Sequence, residues 1–219
     1  MHFLVNVSHR GFKVISYLCC MQKDTYKTIK VVSEGLYKEK GSKFIAFAHP
    51  VTTVEEVKMH LEQYRKTYYD ARHVCYAYSI GPEGEEYRVN DDGEPSGTAG
   101  RPILGQIRSF GLTNVLVVVI RYFGGILLGT GGLVIAYKSA VAEALQAADI
   151  IEKTVDIDLK FRFEFQFMND VMRLVKQFDA QIVCQGYERD YIMQLRIRKN
   201  DAIRLKDALS KIESFRLAD

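Results

Sequence analysis

With 219 residues, the chain has room for one large domain or two small ones. It is 47% hydrophobic and 26% charged, a globular composition that excludes a fibrous protein and a disordered chain. The apolar run at 115–120 is far shorter than the roughly 20 residues of a membrane-spanning helix. We therefore expect that this chain is not a membrane protein.

The charges nearly balance. Lys and Arg number 30 against 27 Asp and Glu, a formal net charge of +3. This excludes tight non-specific binding to DNA through its phosphates. The four cysteines show neither paired metal spacing nor a disulfide framework, which predicts a reduced, cytoplasmic setting.

Residues 1–20 combine short apolar runs with polar and basic side chains. Polar side chains interrupt their apolar residues, and no small residues mark a cleavage site, so the segment does not fit a signal peptide. We predict that translation starts at Met21 and that 1–20 are a non-native start or a loose tail.

The segment 28–148 alternates strands and helices. We predict a strand over 28–37 and a partner over 43–49, then a helix opened by a capping box of Thr53 and Glu56. Strands over 73–80 and 85–89 and a short helix from Pro102 follow. The six apolar residues at 115–120 predict a strand buried on both faces, and a helix spans about 132–147.

After a predicted boundary at 148–153, the pattern restarts. It gives a strand within 155–167, a helix capped by Asn169, a hairpin of 181–187 with 191–198, and a helix from Asp201. This β-α-β-β-α content is usual in a ferredoxin-like domain. The sequence therefore predicts an α+β protein with domains over 21–148 and 154–219.

Two loops carry the unusual chemistry, and the first is acidic. The acidic loop, residues 91–100, combines three carboxylates with hydroxyl groups and glycines, and nothing in it buries apolar surface. It is either a mobile surface loop or a binding loop. As oxygen ligands, the carboxylates would suit Mg²⁺ or Ca²⁺, although the calcium-loop spacing is absent. The candidate residues of this loop are Asp91, Asp92, Glu94, Ser96 and Thr98.

The second loop, residues 121–132, is rich in glycine and lies between the buried strand and the next helix. Free N–H groups at the start of that helix would favour an anion, and Arg121 could grip a phosphate or carboxylate. Alternatively, the glycines only permit tight packing and Arg121 pairs with the acidic loop. Neither a Walker motif nor a dinucleotide fingerprint is present. The candidate anion-binding residues are Arg121, Gly124, Gly125, Gly129, Thr130, Gly131 and Gly132.

Further candidates lie outside the two loops. His73 is the one histidine that we assign to the site. Together with Asp91 and Ser96 it supplies the residue types of a hydrolase triad, but Ser96 does not lie in a nucleophile elbow. Arg196, Arg198 and Lys199 would present a basic strand face to RNA, although a solvated sheet face is commoner. No resident metal or cofactor is expected.

The motifs DDGEPSGTAG at 91–100, RYFGG at 121–125 and LGTGGL at 128–133 resemble those of the IMPACT/YigZ family. The resemblance covers about 28–148, and 155–215 are similar to the C-terminal domain of bacterial members. It implies a first domain like ribosomal protein S5 domain 2 and a second like the last, ferredoxin-like domain of elongation factor G. Because these domain types lie side by side in translational GTPases, it also implies contact with the ribosome or structured RNA. It brings no established catalytic residues.

Three functions remain open at this point. The first is a non-enzymatic cytoplasmic protein of translation or its regulation that binds RNA, the ribosome or a translation factor. The second is an enzyme that acts on a phosphorylated or carboxylated small molecule held by the glycine-rich loop. The third is a protein-interaction module without a small ligand. The oligomeric state is left open.

Overall fold

The computed structural model describes residues 24–218 and has an α+β fold. The predicted start at Met21 and the tail 1–20 lie outside the described residues. The strands are β1 Thr25–Ile29, β2 Ser33–Glu39, β3 Ser42–Pro50, β4 His73–Ile80, β5 Glu86–Asn90, β6 Val115–Tyr122, β7 Ile150–Thr154, β8 Asp156–Phe163, β9 Gln181–Tyr187, β10 Tyr191–Arg198 and β11 Arg216–Leu217. The helices are α1 Val54–Thr67, α2 Gly100–Ser109, α3 Gly129–Gln146, α4 Met168–Gln177 and α5 Lys199–Leu209, with a 3₁₀ turn at Phe165–Phe167.

Strand β6 is the centre of the larger sheet, whose order is β2-β3-β6-β4-β5 with every neighbouring pair antiparallel. Its residues from Val115 to Arg121 are all buried. Successive side chains of a strand point to opposite faces, so an unbroken apolar run requires cover on both sides. The predicted doubly buried strand is confirmed.

Helices supply that cover. Val115, Val117 and Val119 pack into a core with α2 and α3, whereas Leu116 and Val118 pack into a second core with α1. The predicted capping box at the start of α1 is confirmed, because Thr53 Oγ1 accepts a hydrogen bond from Glu56 N. Helices α2 and α3 begin at Gly100 and Gly129, slightly earlier than the sequence predicts.

The predicted strand over 28–37 is wrong as a single element. The chain turns after Ile29, and β2 begins at Ser33. Strand β1 lies outside the larger sheet. It pairs antiparallel with β7, from Thr25 opposite Thr154 to Ile29 opposite Ile150. The segment 148–153, predicted as a boundary, therefore contains most of a paired strand. The division of 28–37 into two strands depends on hydrogen-bond partners that are distant in sequence. Local periodicity does not identify such partners.

The second unit is a four-stranded antiparallel sheet of order β11-β8-β10-β9. Helices α4 and α5 cover one face, where Phe161, Met193 and Leu195 are fully buried. The predicted hairpin of β9 and β10 is confirmed. The predicted cap is wrong: Asn169 lies inside α4, which begins at Met168 without a side-chain cap.

We call the part of the chain that contains β1–β7 and α1–α3 the first unit. An ion pair joins its start to the second unit. Both carboxylate oxygens of Asp24 accept hydrogen bonds from Arg198, at 2.6 Å from Nε and 3.0 Å from Nη2. This bidentate pair holds the pKa of Asp24 below its usual value. Within the described residues, no helix is both long enough and apolar enough to cross a membrane.

Candidate functional site

A cavity of about 490 Å³ lies where the acidic loop approaches the glycine-rich loop. The acidic loop follows β5 and the glycine-rich loop follows β6. Strand β4 lies between these two strands in the sheet, and its first residue, His73, is opposite Arg121 of β6. The sequence leaves open whether the two loops form one site, and the structure shows that both line this cavity. Its lining residues are Arg72, His73, Gly93, Glu94, Pro95, Arg121, Phe123, Leu127, Leu128, Gly129, Thr130 and Leu133.

Asp91 organises the acidic loop from within. Its carboxylate accepts backbone hydrogen bonds from Gly97 at 2.8 Å, Ala99 at 3.0 Å and Gly100 at 2.8 Å. Burial acts to raise the pKa of Asp91, but these hydrogen bonds outweigh it and keep the pKa below its usual value. The carboxylate lies at the start of α2, so it also serves the positive end of that helix.

Asp92 fixes the orientation of His73. The Asp92 carboxylate accepts a hydrogen bond from Val74 N at 2.7 Å and pairs with Arg65 at 3.2 Å. Its carbonyl oxygen lies 2.8 Å from His73 Nδ1. A carbonyl oxygen only accepts hydrogen bonds, so Nδ1 carries the hydrogen. His73 Nε2 lies 3.8 Å from Glu94 Oε1, at the cavity.

Glu94 and Arg121 form a buried ion pair at the floor of the cavity. Glu94 Oε1 accepts hydrogen bonds from Arg121 Nη1 at 2.6 Å and from the hydroxyl of Tyr137 at 2.8 Å. The Arg121 guanidinium also lies over the rings of Phe44 and Phe123, at 5.4 and 5.7 Å. Arg121 is 5% exposed, and its Nε is buried without a hydrogen-bond partner. The alternative that Arg121 pairs with the acidic loop is thus the arrangement observed.

Cys75 lies beneath this network. Its thiol is 3.0 Å from the carbonyl oxygen of Asp91, to which it donates, and 3.2 Å from the hydroxyl of Tyr137. Burial raises the pKa of the Cys75 thiol well above its usual value and also raises that of Tyr137. A buried neutral thiol is a weak nucleophile, so Cys75 serves packing, as its place in a strand indicates.

The glycines of the second loop divide into two groups. Gly124 permits close packing, since a side chain there would strike the backbone of Gly41 and Ser42. Gly129 has φ +70° where the loop enters α3, a conformation that side chains rarely adopt. Gly129 and Thr130 line the cavity, whereas Gly124, Gly125, Gly131 and Gly132 do not.

Other predicted residues lie away from the cavity lining. Ser96 is exposed, and Thr98 is buried with its hydroxyl donating to the carbonyl of Pro95 at 2.6 Å. Neither lines the cavity. Asp91 is committed to backbone N–H groups, and His73 Nδ1 binds the carbonyl of Asp92. The residue types of a triad are thus not joined by hydrogen bonds.

The three basic C-terminal candidates lie in the second unit, on β10 and at the start of α5. Arg196 makes a bidentate pair with Asp158, at 2.9 and 3.2 Å, on the exposed sheet. Arg198 is bound to Asp24 yet remains 46% exposed, and Lys199 is the first residue of α5. Both arginines among these candidates are thus paired with carboxylates.

The acidic residues of the loop do not converge. Asp91 faces backbone N–H groups, Asp92 faces Val74 and Arg65, and Glu94 faces Arg121. Over residues 24–218, no three His, Cys, Asp or Glu side chains are placed to hold one metal ion. The Mg²⁺ alternative therefore has no preformed ligand set in this part of the chain.

Sequence reasoning missed part of the site. Tyr137 reads as an apolar core position of α3, yet its hydroxyl is a donor to Glu94. The polar end of a fully buried tyrosine needs a partner, which is the signal that could have found it. The apolar walls of the cavity also escaped notice, because Phe123, Leu127 and Leu128 interrupt a motif interpreted through its glycines.

Comparison with known proteins places the chain in a family. Residues 40–145 match the model of the Impact N-terminal domain. The chain is 34% identical to the IMPACT family member YigZ of Escherichia coli over 178 residues, which cover 80% of this chain and 86% of that protein. It is 40% identical to YvyE of Bacillus subtilis over 129 residues, 59% of each chain.

A solved structure agrees over nearly the full length. The crystal structure described as that of a hypothetical protein has a TM-score of 0.70 and 31% identity, and the match covers 89% of this chain and 96% of that one. The segment that matches the Impact N-terminal domain, residues 40–145, includes both loops that line the cavity. The chain belongs to the IMPACT family.

Proposed function

We propose that this protein is a non-enzymatic cytoplasmic protein of translation or its regulation, and that it binds structured RNA, as on the ribosome. The proposal includes a first unit with the fold of ribosomal protein S5 domain 2. It also includes a second, ferredoxin-like unit similar to the last domain of elongation factor G. The β-α-β-β-α-β order from β8 to β11 supports the second assignment.

The observation that carries the proposal is an open basic face on the four-stranded sheet of the second unit. Phe161, Phe163 and Met193 point toward α4 and α5. Alternate residues of the same strands point the other way, and directly paired residues share a face. Arg216 is paired with Arg162, so it belongs to the outer face. The basic residues of this open face are Lys160, Arg162, Arg196, Arg198 and Arg216.

Carboxylates reduce the positive charge of this face without cancelling it. Asp158 pairs with Arg196, and Asp24 pairs with Arg198. Glu188 lies 3.9 Å from Arg162. A face with a small excess of positive charge binds RNA through the placement of its contacts rather than through bulk attraction. This agrees with a whole-chain charge of only +3.

Arg121 takes no part in this surface. At 5% exposure, its guanidinium is reached only through the cavity, whereas the backbone phosphates of a folded RNA approach from outside. The proposal therefore assigns RNA to the second unit and leaves the cavity for a different ligand.

Co-sedimentation with ribosomes at low and moderate salt tests the proposal. The double variant Arg162→Glu/Arg216→Glu reverses two charges on the open face. Its matched control, Lys206→Glu/Lys211→Glu, makes the same charge change on exposed residues of the helical side. We expect the first variant to lose at least about tenfold in affinity and to flatten the salt dependence, while the control stays close to the parent. Equal binding of both variants would contradict the assigned face.

A further inference from the structure

We infer that the cavity between the acidic loop and α3 binds a small oxyanion carried on an apolar or aromatic body. The oxyanion is a carboxylate or a phosphomonoester, and the ligand is a small molecule rather than a macromolecule. The site is separate from the open basic face of the second unit, so this inference does not depend on the proposed function. Three independent features of the cavity support it.

The first feature is the unsatisfied donor on Arg121. Arg121 is one of the residues that line the cavity; its Nη1 is bound to Glu94, and its Nε is buried without a partner. Buried N–H groups of charged side chains are almost always hydrogen-bonded, because leaving one unpaired costs stability. A ligand oxygen that comes within hydrogen-bond distance of Nε removes this cost. The orphan hydrogen bond therefore points to a ligand acceptor.

The second feature is the start of α3, an 18-residue helix. Its first N–H groups have no partner within the helix, no side chain caps them, and no acidic residue lies in the first turn. Gly129 and Thr130 at this end line the cavity. Helix α2 differs, because the carboxylate of Asp91 satisfies N–H groups at its start. The positive end of α3 is thus left to an anion from outside.

The third feature is the apolar wall. Pro95, Phe123, Leu128 and Leu133 line the cavity between its floor and its mouth, and Leu127 at the wall is 82% exposed. An exposed leucine beside a cavity gains stability when an apolar group covers it. The wall therefore selects an apolar or aromatic group attached to the anion. An internal RNA phosphate, with a sugar on each side, offers no such group.

The charges around the cavity set the affinity. Glu94 neutralises Arg121 in the free protein and would repel an incoming anion. Arg72 and His73 also line the cavity, and His73 Nε2 lies 3.8 Å from Glu94 Oε1. Replacing Glu94 by Gln keeps an oxygen acceptor for Arg121 and Tyr137 but removes the negative charge. The buried guanidinium then lacks a counter-ion, and a bound oxyanion supplies one. Anion binding should therefore strengthen in Glu94→Gln.

Titration calorimetry with four probes of known chemistry tests the inference. Phenyl phosphate and 3-phenylpropionate carry both the anion and the aromatic body. Inorganic phosphate lacks the body, and 3-phenylpropionamide lacks the charge. We expect at least one of the first two to bind at least tenfold more tightly than both of the others, and the tighter one identifies the oxyanion. Binding of the neutral amide as strong as that of the acid, or no binding of either anionic probe, would overturn the inference.

A pair of isosteric variants locates the site. Thr130→Asp and Thr130→Asn have nearly the same shape, but only the first places a negative charge at the start of α3. We expect the dissociation constant of the better probe to be at least tenfold higher for Thr130→Asp than for Thr130→Asn. Equal affinities would overturn the assignment to this cavity.

Glu94→Gln gives a second readout that tolerates loss of stability. The thermal shift caused by the better probe should be larger in this variant than in the parent, even if the variant alone melts at a lower temperature. A smaller shift would overturn the role given to Arg121. Ribosome co-sedimentation by the same Thr130 variants separates the two proposals, because a defect of the cavity should leave that binding intact.

Discussion

Glu94 Oε1 lies 2.6 Å from Nη1 of Arg121, and the two side chains are 3% and 6% exposed. The pair joins a loop to the end of the central strand across 27 positions of sequence. Two charges removed from water require each other, since the loss of one leaves the other buried and uncompensated. The ion pair therefore holds the acidic loop over the cavity.

The first prediction concerns this pair. Glu94→Ala should lower the free energy of unfolding by about 3–5 kcal/mol, because it leaves the Arg121 charge buried without a partner. The double variant Glu94→Leu/Arg121→Met removes both charges and should lose less than Glu94→Ala alone. Urea unfolding of the parent, Glu94→Ala, Glu94→Leu, Arg121→Met and the double variant measures this. Additive losses would show that the two charges do not depend on each other.

The second prediction concerns the hydroxyl of Tyr137. Tyr137→Phe keeps the buried ring but removes the donor to Glu94, so we expect a loss of about 1–3 kcal/mol in the free energy of unfolding. Tyr122→Phe is the matched control, because the Tyr122 hydroxyl donates to Asp70 at 2.9 Å on an exposed surface. That change should cost less than about 1 kcal/mol. Equal losses in urea unfolding would mean that the buried hydrogen bond stabilises the protein no more than the exposed one does.

Much of the first unit could be predicted from local pattern. The apolar run of β6 and the capping box of α1 each have a short-range physical cause that the sequence states directly. The division of 28–37 into β1 and β2 could not be predicted in this way. Strand β1 is defined by its pairing with β7, more than 120 residues later. Periodicity within a segment does not identify such a partner.

The sequence points to the residue types of the candidate site, but it does not show where their side chains point. The sequence singles out Arg121 and Glu94, and the structure joins them at the floor of a cavity. Burial was the missing quantity. Arg121 ends an apolar strand and remains inside the protein because Phe44 and Phe123 cover its guanidinium. Contacts of this kind involve three separate segments, so no single motif reveals them.

The third prediction concerns pH and His49, far from the cavity. His49 is 7% exposed, its Nε2 lies 2.7 Å from the Tyr64 hydroxyl, and its ring packs on that of His60 at 4.3 Å. Burial, aided by the charge of His60, lowers the pKa of His49 to about 4. The unfolded chain has a pKa near 6.5 at this residue, so between these values it binds more protons than the folded protein.

Stability should therefore fall as pH decreases from about 6.5 to 4, by at most about 3 kcal/mol from this residue. In His49→Gln, this part of the pH dependence should disappear. His60→Gln should reduce it only in part, because burial of His49 remains. Urea unfolding at several pH values measures the slopes. An unchanged slope in His49→Gln would assign the pH dependence to other groups.

The last prediction tests where the first unit ends. A chain cut after Ala148 lacks β7, so β1 loses the partner that it faces over five register positions. A chain cut after Val155 keeps β7 and also the hydrogen bond from Val155 N to the carbonyl of Asp24, at 2.7 Å. The longer chain should melt at least about 4 °C higher, since about 1 kcal/mol shifts the melting temperature of a domain of this size by a few degrees. Hydrogen exchange should show that the difference is concentrated in β1. Equal melting temperatures and equal exchange in β1 would mean that β7 belongs to the second unit alone, with the pairing adding nothing to the first.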